Sequence, residues 1–273
     1  MISLKYCFSV MRAGLYAYIC WLKNNKSLMF FMVFWPYITA AFLLGLGMLL
    51  GSIEEYRTKM NIANPVFYIV ASGGIMVSSI SIVDSVVGAT LRHRWIGTLP
   101  YIVSSPPGFI LSVMFGPIPD SMISSFIALT SILPIATYFE GIIGSLKIFI
   151  VLMVIYLAMI PLIGLSIIVA GLTLILGEET NIAAFLTPFM LLVAGVFYPQ
   201  TILPEVLRAL GLVIPLTYVV SATKLLATYH IPPFNALIVL MGFIAGLAII
   251  YNSMSIPGIK AIERRVLKSG IQE

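Results

Sequence analysis

The sequence predicts an all-α integral membrane protein, and three observations predict it. Hydrophobic residues make up 60% of the 273 positions and charged residues only 9%, against about 25% charged in a typical soluble domain. Mean hydropathy is +1.09. Uncharged apolar runs recur at lengths near or above the ~20 residues that a helix needs to cross a ~30 Å hydrocarbon core. Together these exclude a soluble fold. The formal charge of +5 does not point to nucleic acid, because the basic residues gather where membrane topology needs them. Length allows one membrane domain over 1–273 and little else.

The first element expected is a helix in residues 1–27. Leu4, Phe8, Met11, Leu15, Tyr18, Ile19 and Leu22 recur at helical spacing with Lys5, Arg12 and Lys23 among them. That pattern suits a helix lying in the cytoplasmic interface, aromatics at headgroup level and cations near anionic lipid; a plain basic flank is the alternative. A core of six spans follows over 28–255, at 28–50, 65–91, 116–139, 148–176, 182–198 and 234–255. Gly73 and Gly74, among Ser72, Ser78, Ser79 and Ser81, permit close helix approach in the second span, and Gly242, Ala245 and Gly246 offer the same in the last. Residues 256–273 form a short basic tail. With the N-terminus inside, Lys5, Arg12, Lys23, Lys26, Arg92, Arg94, Lys260, Arg264, Arg265 and Lys268 are cytoplasmic, ten of the fifteen Lys and Arg, as the positive-inside bias requires. No cleavable signal peptide is expected.

The stretch 188–228 looks long enough to cross the membrane but is punctuated against it. Pro199 is expected to end a helix that begins near Ile182. Pro204 followed by Glu205 reads as a helix start, with the carboxylate at the positive end of the dipole. Pro215 then interrupts again. A helix of about ten residues spans only ~15 Å, half the hydrocarbon core. Leu203, Leu207, Leu210 and Ile214 give it one apolar face. Such a segment enters and returns on the outer side, which is tolerated only where protein or a water-filled cavity covers the loose backbone. A seventh span here would also move the basic tail outside. A pathway or gate is the expected role.

Two groups of residues carry a family resemblance. The first is Ala194-Gly195-Val196-Phe197-Tyr198-Pro199, then Leu203-Pro204-Glu205-Val206-Leu207, then Ile214-Pro215-Leu216-Thr217-Tyr218. The second is the inner loop 92–107, RHRWIGTLPYIVSSPP, in which Arg94, Gly97, Thr98, Leu99, Ser105 and Pro106 fit an Arg-x-x-Gly-Thr-Leu…Ser-Pro run. In this order, and on opposite membrane sides, they resemble the type-two ABC exporter permeases. Pro100 stands where that family usually has an acidic residue, and proline disfavours helical geometry at Leu99.

The resemblance implies a permease subunit that works with a separate ABC ATPase and a second permease copy, in the cell membrane with both termini cytoplasmic. It implies coupling to the ATPase through Arg92, Arg94, Gly97, Thr98, Leu99, Ser105 and Pro106. It implies an outer gate at Gly195, Phe197, Tyr198, Pro199, Leu203, Pro204, Glu205, Pro215 and Tyr218, with Phe197, Tyr198 and Tyr218 lining it. The chain has no G-x-x-x-x-G-K-[ST] to cradle phosphates, so ATP and Mg are expected on the partner. No catalytic, cofactor or metal residues are expected, nor any nucleic-acid partner. Apolar spans favour drug- or lipid-like cargo; a polysaccharide exporter is the alternative, and an ion-coupled secondary transporter a more distant one. Asp84 and Asp120 lie in apolar surroundings near the inner boundary. Structural pairing with Arg92 or Arg94 and a role in substrate or proton handling are both open. Cys7 and Cys20 are expected as reduced thiols.

Overall fold

The computed structural model describes residues 4–50, 53–106, 108–176, 182–196, 198, 200 and 203–269. It is 88% helix, with no strand among the described residues. In chain order the helices are α1 (Leu4–Asn24), α2 (Lys26–Leu50), α3 (Ile53–Met60), α4 (Pro65–Trp95), α5 (Leu99–Val103), α6 (Gly108–Phe115), α7 (Ile118–Ser131), α8 (Leu133–Leu176), α9 (Ile182–Ala194), α10 (Glu205–Gly211), α11 (Pro215–Thr228) and α12 (Phe234–Ser269). Among the described residues four helical stretches are long and apolar enough to cross a membrane: Pro65–Trp95, Leu111–Glu140, Ile142–Thr173 and Phe234–Gly258. They mark the chain as a membrane protein. The expected first and fifth spans are represented by shorter apolar helices, Met29–Phe42 within α2 and Ala184–Ala194 within α9.

Helix α4 is the axis. Asn64 caps it, its side-chain oxygen accepting from Phe67 N at 3.0 Å, and Pro65 takes the first turn where a missing N–H costs nothing. Apolar and small residues cover most of its circumference and are buried, and one stripe through Val77, Ile80, Asp84 and Arg92 is left less covered. Gly73 and Gly74 set how close its neighbours come. A Cβ at Gly73 would meet Thr39 Oγ1 at 2.6 Å and Pro36 O at 2.7 Å, and one at Gly74 would meet Leu129 Cδ2 at 2.8 Å. These contacts place α2 and α7 directly against α4. Tyr37 donates to Ser131 O between α2 and α7, and Ser85 and Ser121 share a 2.7 Å hydrogen bond between α4 and α7. Helix α8 packs on the remaining side of α4 and carries α12 on its far face. The face of α12 expected to pack closely is open, since nothing lies within 4 Å of a Cβ at Gly242 or Gly246.

The turn between the second and third of these spans differs from expectation. Residues 140–147 read as an outer loop, yet α8 breaks only at Gly141 (φ 62°, ψ −149°) and the next span starts at Ile142. Lys147 therefore sits on a helix and is 3% exposed; its Nζ meets Glu140 Oε2 at 2.6 Å. Asn64 Nδ2 donates to Glu140 Oε1 at 2.7 Å, and the Lys147 ammonium stands 5.5 Å from the Phe67 ring centroid. A buried charge pair needs this kind of surrounding support to offset its desolvation. At the other end, α12 continues as helix to Ser269, past the expected end of the core at 255.

Candidate functional site

The most unusual backbone lies between α9 and α11. Helix α9 ends at Ala194, not at Pro199, and glycine stereochemistry is the reason. Gly195 adopts φ +72°, its N–H donates to Leu192 O at 3.1 Å, and Val196 N donates to Leu191 O at 3.3 Å. This pair of bonds is a Schellman termination, which requires the left-handed conformation that glycine tolerates. The space is closed as well: a Cβ at Gly195 would meet Gln200 Cγ at 2.6 Å.

The last carbonyls of a helix have no intrahelical donor, and inside a membrane no water replaces one. Here side chains replace it. Gln200 Nε2 donates to Ala194 O at 2.9 Å and to Val193 O at 3.4 Å. Tyr198 OH donates to Leu192 O at 2.6 Å, and Tyr68 OH reaches from α4 to Gly195 O at 3.1 Å. The same device recurs after α10, where Tyr218 OH donates to Leu212 O at 2.8 Å and Tyr251 OH to Val213 O at 2.7 Å. Tyr198 and Tyr218, expected to line a gate, thus hold the backbone of the broken segment. Tyr218 also stacks on Phe243 at 5.4 Å. Phe197 and Pro199 lie outside the described residues.

Between these caps α10 and α11 meet at 92°. Pro204 precedes α10 as its cap with φ −52° and ψ 149°, and exposed Glu205 is the first helical residue. Leu212, Val213 and Ile214 each bond three residues back, to Ala209, Leu210 and Gly211; this tight turn re-aims the chain before Pro215 opens α11. The expected apolar face is split by it. Leu203 and Ile214 are buried, while Leu210 is exposed, because the helix stops at Gly211 and residue 214 no longer shares its face. Helix α11 then runs ~21 Å to Ala227, whose carbonyl accepts from Asn64 N at 3.0 Å. The bent pair therefore ends beside the start of α4.

The second predicted set gathers at the opposite end of α4, ~46 Å away along a 31-residue helix. A second Schellman termination closes α4 there: Gly97, at φ +72°, donates to Arg94 O at 3.0 Å, and Thr98 N donates to His93 O at 2.9 Å. Thr98 Oγ1 and His93 Nδ1 lie 3.1 Å apart. Pro100 does not prevent the helix that follows. Helix α5 starts at Leu99 with Pro100 in its first turn, where proline's fixed φ is already helical. Ser105 Oγ bonds Ile102 O at 2.6 Å, and Ser105 O accepts from Gly108 N at 2.8 Å. Pro106 is exposed beside it. The result is a short helix hung between glycine turns at Gly97 and Gly108. Helix α5 presents exposed Tyr101, and the end of α4 just before it carries exposed Trp95 and Ile96 and exposed Arg92.

Asp84, Asp120 and Tyr18 line one cavity together with Arg92 and His93 at this end of α4. Asp120 accepts from Ser124 Oγ at 3.3 Å, and Ser124 Oγ lies 2.7 Å from Tyr18 OH. Burial pushes the Tyr18 hydroxyl up to about 12, and the Asp120 carboxylate adds to the rise, so the phenol stays protonated and serves as a donor. Among the described residues no side chain pairs with Asp84. The pairing with Arg92 or Arg94 that was open for both carboxylates is not formed by Asp84. Comparison with known proteins adds no family: no protein-family model matches this chain, and no curated protein matches it.

Proposed function

We propose that the chain is the transmembrane permease subunit of an ATP-driven ABC exporter, moving hydrophobic or amphipathic cargo outward. The observation that carries this reading is the pair of irregular features at opposite ends of α4. One is the 92° break between α10 and α11, with the carbonyls of α9 recapped by Gln200, Tyr198 and Tyr68. The other is the glycine-bounded helix α5 with exposed Tyr101, preceded by exposed Trp95 and Ile96 at the end of α4. Both fall on the motifs that resemble the family. In this reading α2, the four long stretches and α9 make six spans, and α10–α11 is re-entrant from outside. Helix α1 lies in the inner interface of the cell membrane, and both termini are cytoplasmic. Residues 92–106 seat in a separate ATPase that binds ATP and Mg. Two permease copies share the path, and α10 and α11 close its outer end.

The test is co-purification of the full chain with a candidate ATPase subunit in mild detergent. The wild-type chain is expected to form a stable complex whose ATPase rate responds to the permease. The double variant Ile96→Asp, Tyr101→Asp changes two exposed side chains and is expected to insert normally and lose the complex. Failure of the wild-type chain to bind any nucleotide-binding subunit overturns the proposal.

A further inference from the structure

A cavity of about 790 Å³ lies between α1, α2, α4 and the α6–α7 segment, away from the re-entrant segment. Its lining is layered along α4. Pro36 and Thr39 pack on Gly73, so α2 and α4 descend side by side, and Phe31, Met32 and Trp35 line the same upper part of the cavity as Val77 and Ile80. This layer is apolar and aromatic. About 10 Å further along α4 comes an acidic layer, Asp84 and Asp120 with Ser85 and the Tyr18 hydroxyl. Arg92 and His93 follow about 12 Å beyond Asp84.

We infer that this cavity binds an amphipathic organic cation, its ammonium or phosphonium charge at Asp84 and its apolar body against Phe31, Met32 and Trp35. Three observations select that chemistry. Asp84 lines the cavity, is exposed there and has no partner among the described residues, and a carboxylate among apolar spans is costly unless something offsets its charge. Asp120 accepts from Ser124 Oγ, which leaves Asp84 as the carboxylate without a partner. An apolar, aromatic layer above an unpartnered carboxylate suits a ligand that is hydrophobic at one end and cationic at the other. The order of the layers excludes the obvious rival. A zwitterionic phospholipid entering acyl chains first would set its phosphate against the carboxylates and its amine against Arg92, wrong at both levels. The volume matches a drug-sized ligand, about 300–1,000 Å³. The inference goes beyond the exporter reading and does not depend on it, because binding requires no ATPase partner.

The experiment is equilibrium dialysis of tetraphenylphosphonium against the full-length chain in phosphatidylcholine nanodiscs, with empty nanodiscs as the partition baseline. Tetraphenylborate, the same shape with the opposite charge, is the control. One saturable tetraphenylphosphonium site per chain is expected, with tetraphenylborate showing only the baseline. Asp84→Asn is expected to weaken binding at least about tenfold. Ala89→Phe, which narrows the cavity without removing a charge, is expected to weaken it by a similar factor. Partition no greater than in empty discs, saturable binding of tetraphenylborate, or unchanged affinity in Asp84→Asn would each overturn the site.

Discussion

Gly195 shows how much of this molecule rests on one residue having no side chain. Its positive φ and the 2.6 Å approach to Gln200 Cγ both oppose a Cβ. Gly195→Ala should cost about 1–2 kcal/mol for the left-handed backbone alone, with more for displacing the Gln200 cap from α9. Gly88→Ala is the matched control, since nothing lies within 4 Å of a Cβ there and alanine favours helix by about 0.5–1 kcal/mol. Thermal unfolding in detergent should show a lower midpoint for the first variant and an unchanged or higher one for the second; equal midpoints would remove the role given to Gly195. Lys147 and Glu140 make a different residue-scale case. Lys147→Met leaves a buried carboxylate without its counter-ion and should cost about 3–5 kcal/mol. Adding Glu140→Gln keeps the hydrogen bond with Asn64 and should restore much of that loss. A double variant no more stable than Lys147→Met would mean that the pair is not coupled.

At the scale of elements, the long stretches were legible because twenty apolar residues in a row have few other solutions, and the bend within 204–215 because Pro204 and Pro215 each favour opening a new helix. What was illegible was where each freed backbone group goes. Pro199 reads as the stop for α9, yet Gly195 stops it first, because a Schellman turn depends on φ and not on a missing N–H. The capping roles of Tyr68 and Tyr251 are tertiary, spanning 127 and 38 residues of sequence, and no local pattern announces them. Tyr198 and Tyr218 carried a better signal: each bonds a carbonyl six residues back just beyond a helix end. The helix at Leu99 was masked by Pro100, whose cost vanishes in a first turn. The proposed re-entrant arrangement makes an element-scale prediction. With Cys7 and Cys20 replaced by Ser, single cysteines at exposed Glu205 and His230 should both react with an impermeant maleimide added outside. A cysteine at Lys5 should react only after permeabilisation. Labelling of the two positions from opposite sides would make α10–α11 a crossing span.

Taken whole, the molecule is buried unevenly. Helix α4 is mostly enclosed, whereas α12 is the most exposed of the four long apolar stretches. Lipid accounts for open apolar surface on α12, but less readily for α10 and the turn after it. There Val206, Leu212 and Val213 are 72%, 61% and 51% exposed, beside exposed Glu205 and the exposed charge of Arg208. Charged groups at such a position face protein or water, not hydrocarbon. A second copy of the chain meeting the first along this edge would bury the apolar residues and leave the charged ones facing a shared path. Native mass spectrometry from nanodiscs should therefore give twice the 29.8 kDa chain mass, without any ATPase present. Val206→Glu with Leu212→Glu should shift that population to the single-chain mass, because both side chains would meet their symmetry mates at an isologous contact. Gly242→Leu with Gly246→Leu on α12 should leave it unchanged, as those positions touch nothing within 4 Å. A dimer lost with the α12 pair and kept with the α10 pair would move the interface to α12 and leave the re-entrant edge facing lipid.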